Sequence, residues 1–457
     1  VAARPETNPV DASAPAIAAP TATFEASNGY RHYVVWLLFL VYTCNFVDRQ
    51  ILSIVIEPIK REFGLHDWQL GLLSGLAFAA FYSTLGIPIA RLADRRSRVN
   101  IISISIVIWS AFTAVTGVAK NFWHLLIARI GVGVGEAGCS PPAYSLISDY
   151  FDQSKRATAL SIYSMGVYAG GALGFVVGGQ IAHVYGWRAA FFAVGLPGLI
   201  VALLVKLTLR EPPRGFSEQR AATTHEPVAF KKLVTELWSR RSFRHLSLAA
   251  GLHSFAAYGV NNFYSPFFMR THGMTIAELS AWLAFVVALG GLTGTYLAGR
   301  LCDRCYNRTD DPRWYLWIPA GSLLFNTAFG QLAYSLDDRY HALYALIPFV
   351  AMSAAYLAPS IAATHRLVGL HERAQASAVL LLILNFIGLG LGPMFTGVVS
   401  DAINSYLASH GVAEQQAQAD GLRWAIRVTI MINLWSALHY FLAARTLRED
   451  IKASARA

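Results

Sequence analysis

Four residues of the 457-residue chain place charge where it is costly: Asp48, Arg49, Arg129 and Glu136, each inside an apolar stretch. The stretch FWHLLIARIGVGVGEAGCSPPAYSLISD, Phe122 to Asp149, is long enough to cross a bilayer yet holds Arg129 and Glu136. A charge at the bilayer centre costs from about 2.5 to over 10 kcal/mol, so such residues mark transport paths, proton relays or ligand counter-charges. A carboxylate in low dielectric takes up a proton and a nearby arginine drives it off, which makes Asp48 and Glu136 candidate proton-coupling groups. Guanidinium forks match phosphate and carboxylate, which makes Arg49 and Arg129 candidate substrate ligands. Arg129 and Glu136 are two turns apart on one helix face, about 10 Å along the axis. Adjacent helical residues point about 100° apart, so Asp48 and Arg49 need not reach one cavity. The bland alternative is a static ion-pair network, which gains little stability when buried. Gly131, Gly133, Gly135 and Gly138 allow a neighbouring helix to approach, and Pro141 and Pro142 disturb the helix beyond them.

The elements that must position these groups follow from composition. The chain is 55% hydrophobic and 14% charged, against about 25% charged in soluble domains. Twelve apolar runs, at 33–58, 70–92, 99–119, 122–147, 157–183, 189–209, 245–269, 278–300, 314–335, 341–364, 375–400 and 424–445, are each long enough for a transmembrane helix. Continuous runs instead of alternation exclude a barrel. The net charge of +10 is clustered in alternate loops, which argues against nucleic acid. The positive-inside rule then puts both termini in the cytoplasm. Residues 1–29 read as a disordered tail, 30–209 and 245–447 as two six-helix halves, 210–244 as a cytoplasmic linker and 448–457 as a second tail. Within the linker, Val228 to Trp238 suits a short amphipathic helix on the membrane surface.

Cys302 and Cys305 form a C-x-x-C without partners for zinc or redox chemistry, so no metal is expected. Gly133, Gly135 and Gly138 match a dinucleotide fingerprint, but no strand precedes them and no cofactor is expected. Neither H-E-x-x-H nor G-x-S-x-G occurs, which speaks against an enzyme. His253, His365 and His439 read as core hydrogen-bonding residues. Tyr258, Asn261 and Asn262 in the seventh span combine polar and aromatic groups suited to substrate contact.

An internal repeat joins the halves. Ala90-Arg-Leu-Ala-Asp-Arg-Arg-Ser-Arg98 closes the second span and Gly299-Arg-Leu-Cys-Asp-Arg-Cys-Tyr-Asn-Arg308 closes the eighth. Repeated halves with a site between them are a transporter plan. The chain resembles a major facilitator superfamily transporter over residues 30–447. The loop repeat is similar to the family signature G-x-x-x-D-R-x-G-R, with Ala90 and Ser97 where glycines are usual. Gly170-x-x-x-Gly174-Phe175-x-x-Gly178-Gly179 resembles the fifth-helix motif of antiporters, with Phe175 in place of its proline. Asn45-Phe-Val-Asp48-Arg49 together with Gly133-Val-Gly-Glu136-Ala-Gly resembles the spinster group, which includes sphingosine-1-phosphate and lysophospholipid transporters.

The resemblance implies an all-α fold of twelve helices in two halves, in the inner membrane, acting as a monomer by alternating access. It implies proton-coupled movement of an anionic amphiphile, with protons, a lipid-like substrate and membrane lipids as partners. An organic-anion:proton symporter is the alternative. It also implies a cytoplasmic latch for the outward-open state, made by Asp94, Arg95 and Arg98 with Asp303 and Arg304 as second-half counterparts.

Overall fold

The computed structural model describes residues 24–454 except 25, 94, 215, 217–229, 370 and 371. Among them every regular element is helical, and eight helices are long and apolar enough to cross a membrane. The first half holds α1 (Asn28–Phe63), α2 (Asp67–Ser74), α3 (Leu76–Ala93), α4 (Arg98–Thr116), α5 (Phe122–Glu136), α6 (Ser140–Tyr150) and α7 (Gln153–Thr208). The connecting α8 (Phe230–Ser239) leads into α9 (Arg241–Asn261), α10 (Tyr264–His272), α11 (Ile276–Thr309), α12 (Trp314–Ala333), α13 (Arg339–Ala354) and α14 (Leu357–His365). Next come α15 (Arg373–Leu384), a π-helical segment (Asn385–Leu391), α16 (Gly392–Ser409) and α17 (Glu414–Ser454).

Local chemistry sets the boundaries. Ser27 caps α1 by accepting from Tyr30 N at 3.2 Å, satisfying one of the free amides of the first turn. Gly64 ends α1 at φ 63°, a left-handed cap that only glycine adopts cheaply. Gly186, at φ 84°, turns the chain inside α7. The first helix begins at Asn28, ahead of the expected boundary at 30, and Phe24 packs on Tyr150 and Phe216. Residues 1–23 of the expected tail lie outside the described residues. At the other end α17 continues to Ser454, past the expected boundary at 447. Arg448 binds Asp311 and the Asp450 carboxylate accepts from Ser242 N at 2.8 Å, which ties this last turn to its neighbours.

Several runs expected as single spans are broken. The fourth divides at Ala137–Cys139, with Pro141 and Pro142 in the first turn of α6. That is the place for proline in a helix, since the first amides have no partner there. The second divides at Gly75, the seventh at Asn262–Phe263 and the tenth at Ala355–Tyr356. Three apolar clusters fill the interior. One lies in the first half around Leu38, Trp109 and Leu146, and one in the second around Leu237, Phe243 and Leu316. The third joins Ile54, Leu70 and Phe175 of the first half to Phe267, Leu283 and Phe349 of the second. It lies at the end away from the chain termini, and there the halves are closed on one another.

Candidate functional site

Helix α1 delivers Asp48 and Arg49, and α5 delivers Arg129 and Glu136, the last at the break between α5 and α6. Close approach of α5 to α3 and α4 depends on glycine. A Cβ at Gly133 would lie 2.7 Å from Phe78 O, and one at Gly135 would lie 2.5 Å from Trp109 N. Asp48 and Glu136 are buried, at 3% and 1% exposure. With two carboxylates and two guanidiniums, the cluster is neutral when all four groups are ionised.

Arg129 and Glu136, two turns apart on α5, each face a partner from α1. Glu136 is held by Arg49, whose Nε donates to Oε2 at 2.6 Å. The Arg49 guanidinium also lies 4.7–5.0 Å from the ring centroids of Phe46, Phe78 and Tyr82. Desolvated cation–π contacts of this kind are worth about 2 kcal/mol. Arg129 stands 4.8 Å from the same Phe78 ring and turns toward Asp48. Those two line a small cavity with Leu52, Leu73, Thr113 and Val132. Asp48 and Arg49 therefore serve different surfaces, as their 100° separation on α1 requires. Asp48 Oδ1, Glu136 Oε1 and Arg129 Nε have no hydrogen-bond partner among the described residues. Buried polar atoms are nearly always paired; Asn45 and Trp109 Nε1, beside the two carboxylates, are unpaired as well, so a small shift, a proton or a ligand could complete the cluster's hydrogen bonds.

The other expected positions are scattered. Tyr258 packs against the apolar cluster of the first half, on the side of Arg49. The Asn262 amide donates to Tyr258 O at 2.9 Å and closes the break between α9 and α10. Asn261 is partly exposed. His253 bonds Asn433 and the Ser353 carbonyl, His365 bonds Ser377, and His439 bonds His245. Asp94 lies outside the described residues. Arg95 and Arg304 are exposed, and Asp303 accepts from Tyr315 Oη at 2.8 Å. Arg98 is buried within the first half, where it binds Asp149, Glu211 at 2.6 Å and the Pro212 carbonyl at 2.9 Å.

A second charged cluster was not picked out from the sequence. At the closed end, Arg270 of α10 donates to Glu57 Oε2 at 2.7 and 2.9 Å and to both Asp67 oxygens at 2.8 Å. Lys60 adds a bond to Asp67 at 2.7 Å, and Ser400 adds one at 2.6 Å. The Asp401 carboxylate of α16 accepts from Asp67 N at 3.0 Å and Trp68 N at 2.8 Å, so it caps α2 from the opposite half. Gly71 and Gly397 let α2 and α16 meet backbone to backbone. The residues Glu57, Asp67, Arg270 and Asp401 tie the two halves together at this end, as a candidate gate. Their positions at the ends of apolar runs, where charge is ordinary, gave no signal in the sequence.

The sequence pattern of the Major Facilitator Superfamily matches residues 38–450. The chain belongs to that superfamily. This superfamily member superposes with a TM-score of 0.87 and 36% identity on a bacterial homolog to the human lysosomal transporter spinster, solved in an inward-facing and unoccupied conformation, over 93% of this chain and 99% of that one. It is 31% identical to an MFS-type efflux pump of Mycolicibacterium smegmatis over 96% of this chain and all of the relative. It is 25% identical to protein spinster homolog 3 of Danio rerio, over 93% and 87% of the two chains. These relatives are transporters, and the superfamily member described here is a multi-pass membrane transporter and not an enzyme.

Proposed function

We propose that the chain is a proton-coupled secondary transporter of an anionic amphiphile, sphingolipid- or lysophospholipid-like, working by alternating access. The observation that carries this reading is the neutral cluster of Asp48, Arg49, Arg129 and Glu136. It is buried, set at a helix break, and keeps unpaired polar atoms beside aromatic rings. Protonation of Glu136 removes the charge that holds Arg49 and frees its guanidinium for an anionic head group. The rings of Phe46, Phe78 and Tyr82, with Tyr258 opposite, suit the apolar part of the same molecule. Arg129 sets the proton affinity of Asp48 by its distance. Asn261 and Asn262 complete the substrate contacts from the second half.

In this reading the helices pair into twelve spans, α7 supplying two and the broken runs one each. In the same reading both termini are cytoplasmic, which the basic loops support, and the membrane is the inner one. The gate at the far end is then closed to the outside and the protein is inward-facing. Asp94, Arg95 and Arg98, with Asp303 and Arg304, latch the other end when the gate opens. The test is flux in proteoliposomes of purified monomeric protein, with lysophosphatidic acid, sphingosine 1-phosphate or hexuronate inside and an imposed pH gradient. Gradient-driven movement of either lipid supports the proposal. Movement of hexuronate alone would replace it with an organic-anion symporter, and no pH response would remove proton coupling.

A further inference from the structure

A pocket of about 540 Å³ opens on the second half at the start of α9, apart from the central charges and the gate. That volume lies within the range of small-ligand pockets, about 300–1,000 Å³. Helices α8, α9, α15 and α17 and the π segment contribute its walls. Its polar wall carries Arg241 and Arg244, both exposed. Nearby acids are engaged elsewhere: Glu236 holds Arg240 at 2.5 Å, and Asp450 caps Ser242 N. Neither Arg241 nor Arg244 has a carboxylate partner among the described residues.

Two histidines extend this wall. His245 Nδ1 and His439 Nδ1 are 2.8 Å apart, so one ring donates to the other. The accepting ring must then carry its proton on Nε2, which supplies a further N–H donor. The opposite wall is apolar, from Leu248, Ile383 and Ile387. Trp238 stands at the rim, 52% exposed, and Trp435 lies 6.0 Å from His439. Tryptophans collect at head-group depth in membranes. The adjoining face of α17 exposes Leu434 and Leu438. A soluble anion would use the cationic wall alone, whereas an anionic lipid uses both walls and reaches them from the acyl layer.

We propose that this pocket binds the phosphate head group of an anionic membrane phospholipid, with an acyl chain against Ile383 and Ile387, as a site separate from the central cluster. Ile387 belongs to the π segment and packs against α9 where a Cβ on Gly251 would come within 3.2 Å of it. Occupancy therefore braces the stretch of the second half that meets the first half at Gly75. The experiment is lipid binding to the full chain in detergent, read by native mass spectrometry with dioleoyl phosphatidylglycerol, dioleoyl phosphatidylcholine or inorganic phosphate. Phosphatidylglycerol is expected to bind in preference to phosphatidylcholine, without competition from phosphate. Arg241→Gln with Arg244→Gln should weaken it about 30-fold, from about fivefold per interfacial cation. Arg300→Gln with Arg308→Gln, exposed cations elsewhere, should leave it unchanged. Leu248→Trp, which fills the apolar wall and keeps every charge, should also block binding. Wild-type affinity in the Arg241/Arg244 variant, equal loss in the Arg300/Arg308 variant, or displacement by phosphate would each overturn the proposal. Should the arginine variant fail to fold, unchanged binding to Leu248→Trp would do so.

Discussion

Replacing Asp401 by alanine tests whether the far-end cluster is a gate. The carboxylate accepts two backbone N–H groups, at 3.0 and 2.8 Å, from the first turn of a helix in the other half. Hydrogen bonds to a charged group contribute about 1.5–3 kcal/mol each. In the open state water satisfies the same amides, so the net loss to the closed state is taken as about 3 kcal/mol, an approximately 150-fold change. A closed state favoured about 100 to 1 would become nearly even with the open one. Asp401→Asn keeps one acceptor and should fall between. Spin labels at Lys120 and Ala413, exposed on opposite halves at that end, report the separation once the four native cysteines are removed. A longer distance population should appear, with a modest fall in melting temperature limited by the open state, which escapes the loss and stays folded. Unchanged distances with a lowered melting temperature would make Asp401 a structural cap and refute the gate.

The central cluster and the contact between Arg98 and Glu211 give three further expectations. Asp48→Asn should abolish the response of flux to a pH gradient while retaining ligand binding; gradient-driven flux at the wild-type rate would dismiss Asp48 as a coupling group. Arg49→Ala leaves Glu136 buried without its partner and should cost about 3–5 kcal/mol. Adding Glu136→Ala should restore the melting temperature but not flux, and full flux in the double variant would make the pair structural. At Glu211, partial burial pushes the carboxyl up, but Val99 N–H, Arg98 and Ser97 together hold it below its ordinary value. Its contribution to stability is thus present above the ordinary carboxylate range and fades as pH falls through its lowered value. Glu211→Gln should lower the melting temperature at about pH 7 and lose less than wild type on acidification to about pH 4; parallel pH profiles would contradict this.

The four central charges were legible in the sequence because charge inside a long apolar run has few innocent explanations. Their pairing was not. Spacing along α5 put Arg129 and Glu136 on one face, but that Arg49 reaches Glu136 from α1 depends on the phase of one helix against another, which packing sets. The expected approach of a neighbour along the glycines of α5 has a counterpart in the contacts at Gly133 and Gly135. Proline marked the fourth span as irregular but not the position of the break, which falls just before Pro141. The breaks at Asn262 and Ala355 have no proline inside them and were read as continuous helix. The gate was hidden for another reason: Lys60, Arg270 and Asp401 sit near run ends, where a solvated charge is the default expectation.

Gly75 has a consequence for how distant parts of the molecule inform one another. It separates α2, clamped by the gate, from α3, which carries Phe78 and Tyr82 to the two arginines. A Cβ there would meet the carbonyl oxygens of Gly71 at 2.8 Å, Gly390 at 2.9 Å and Leu389 at 3.0 Å. At Gly75 the halves thus meet main chain against main chain, flanked by Leu76 and Ala79 packed on the π segment. A displacement of α2 would reach the rings of α3 across the break at Gly75, where the close backbone contact limits how far the two helices can part. A molecule that reseats those rings exerts the same leverage in reverse, by the reciprocity of coupled equilibria.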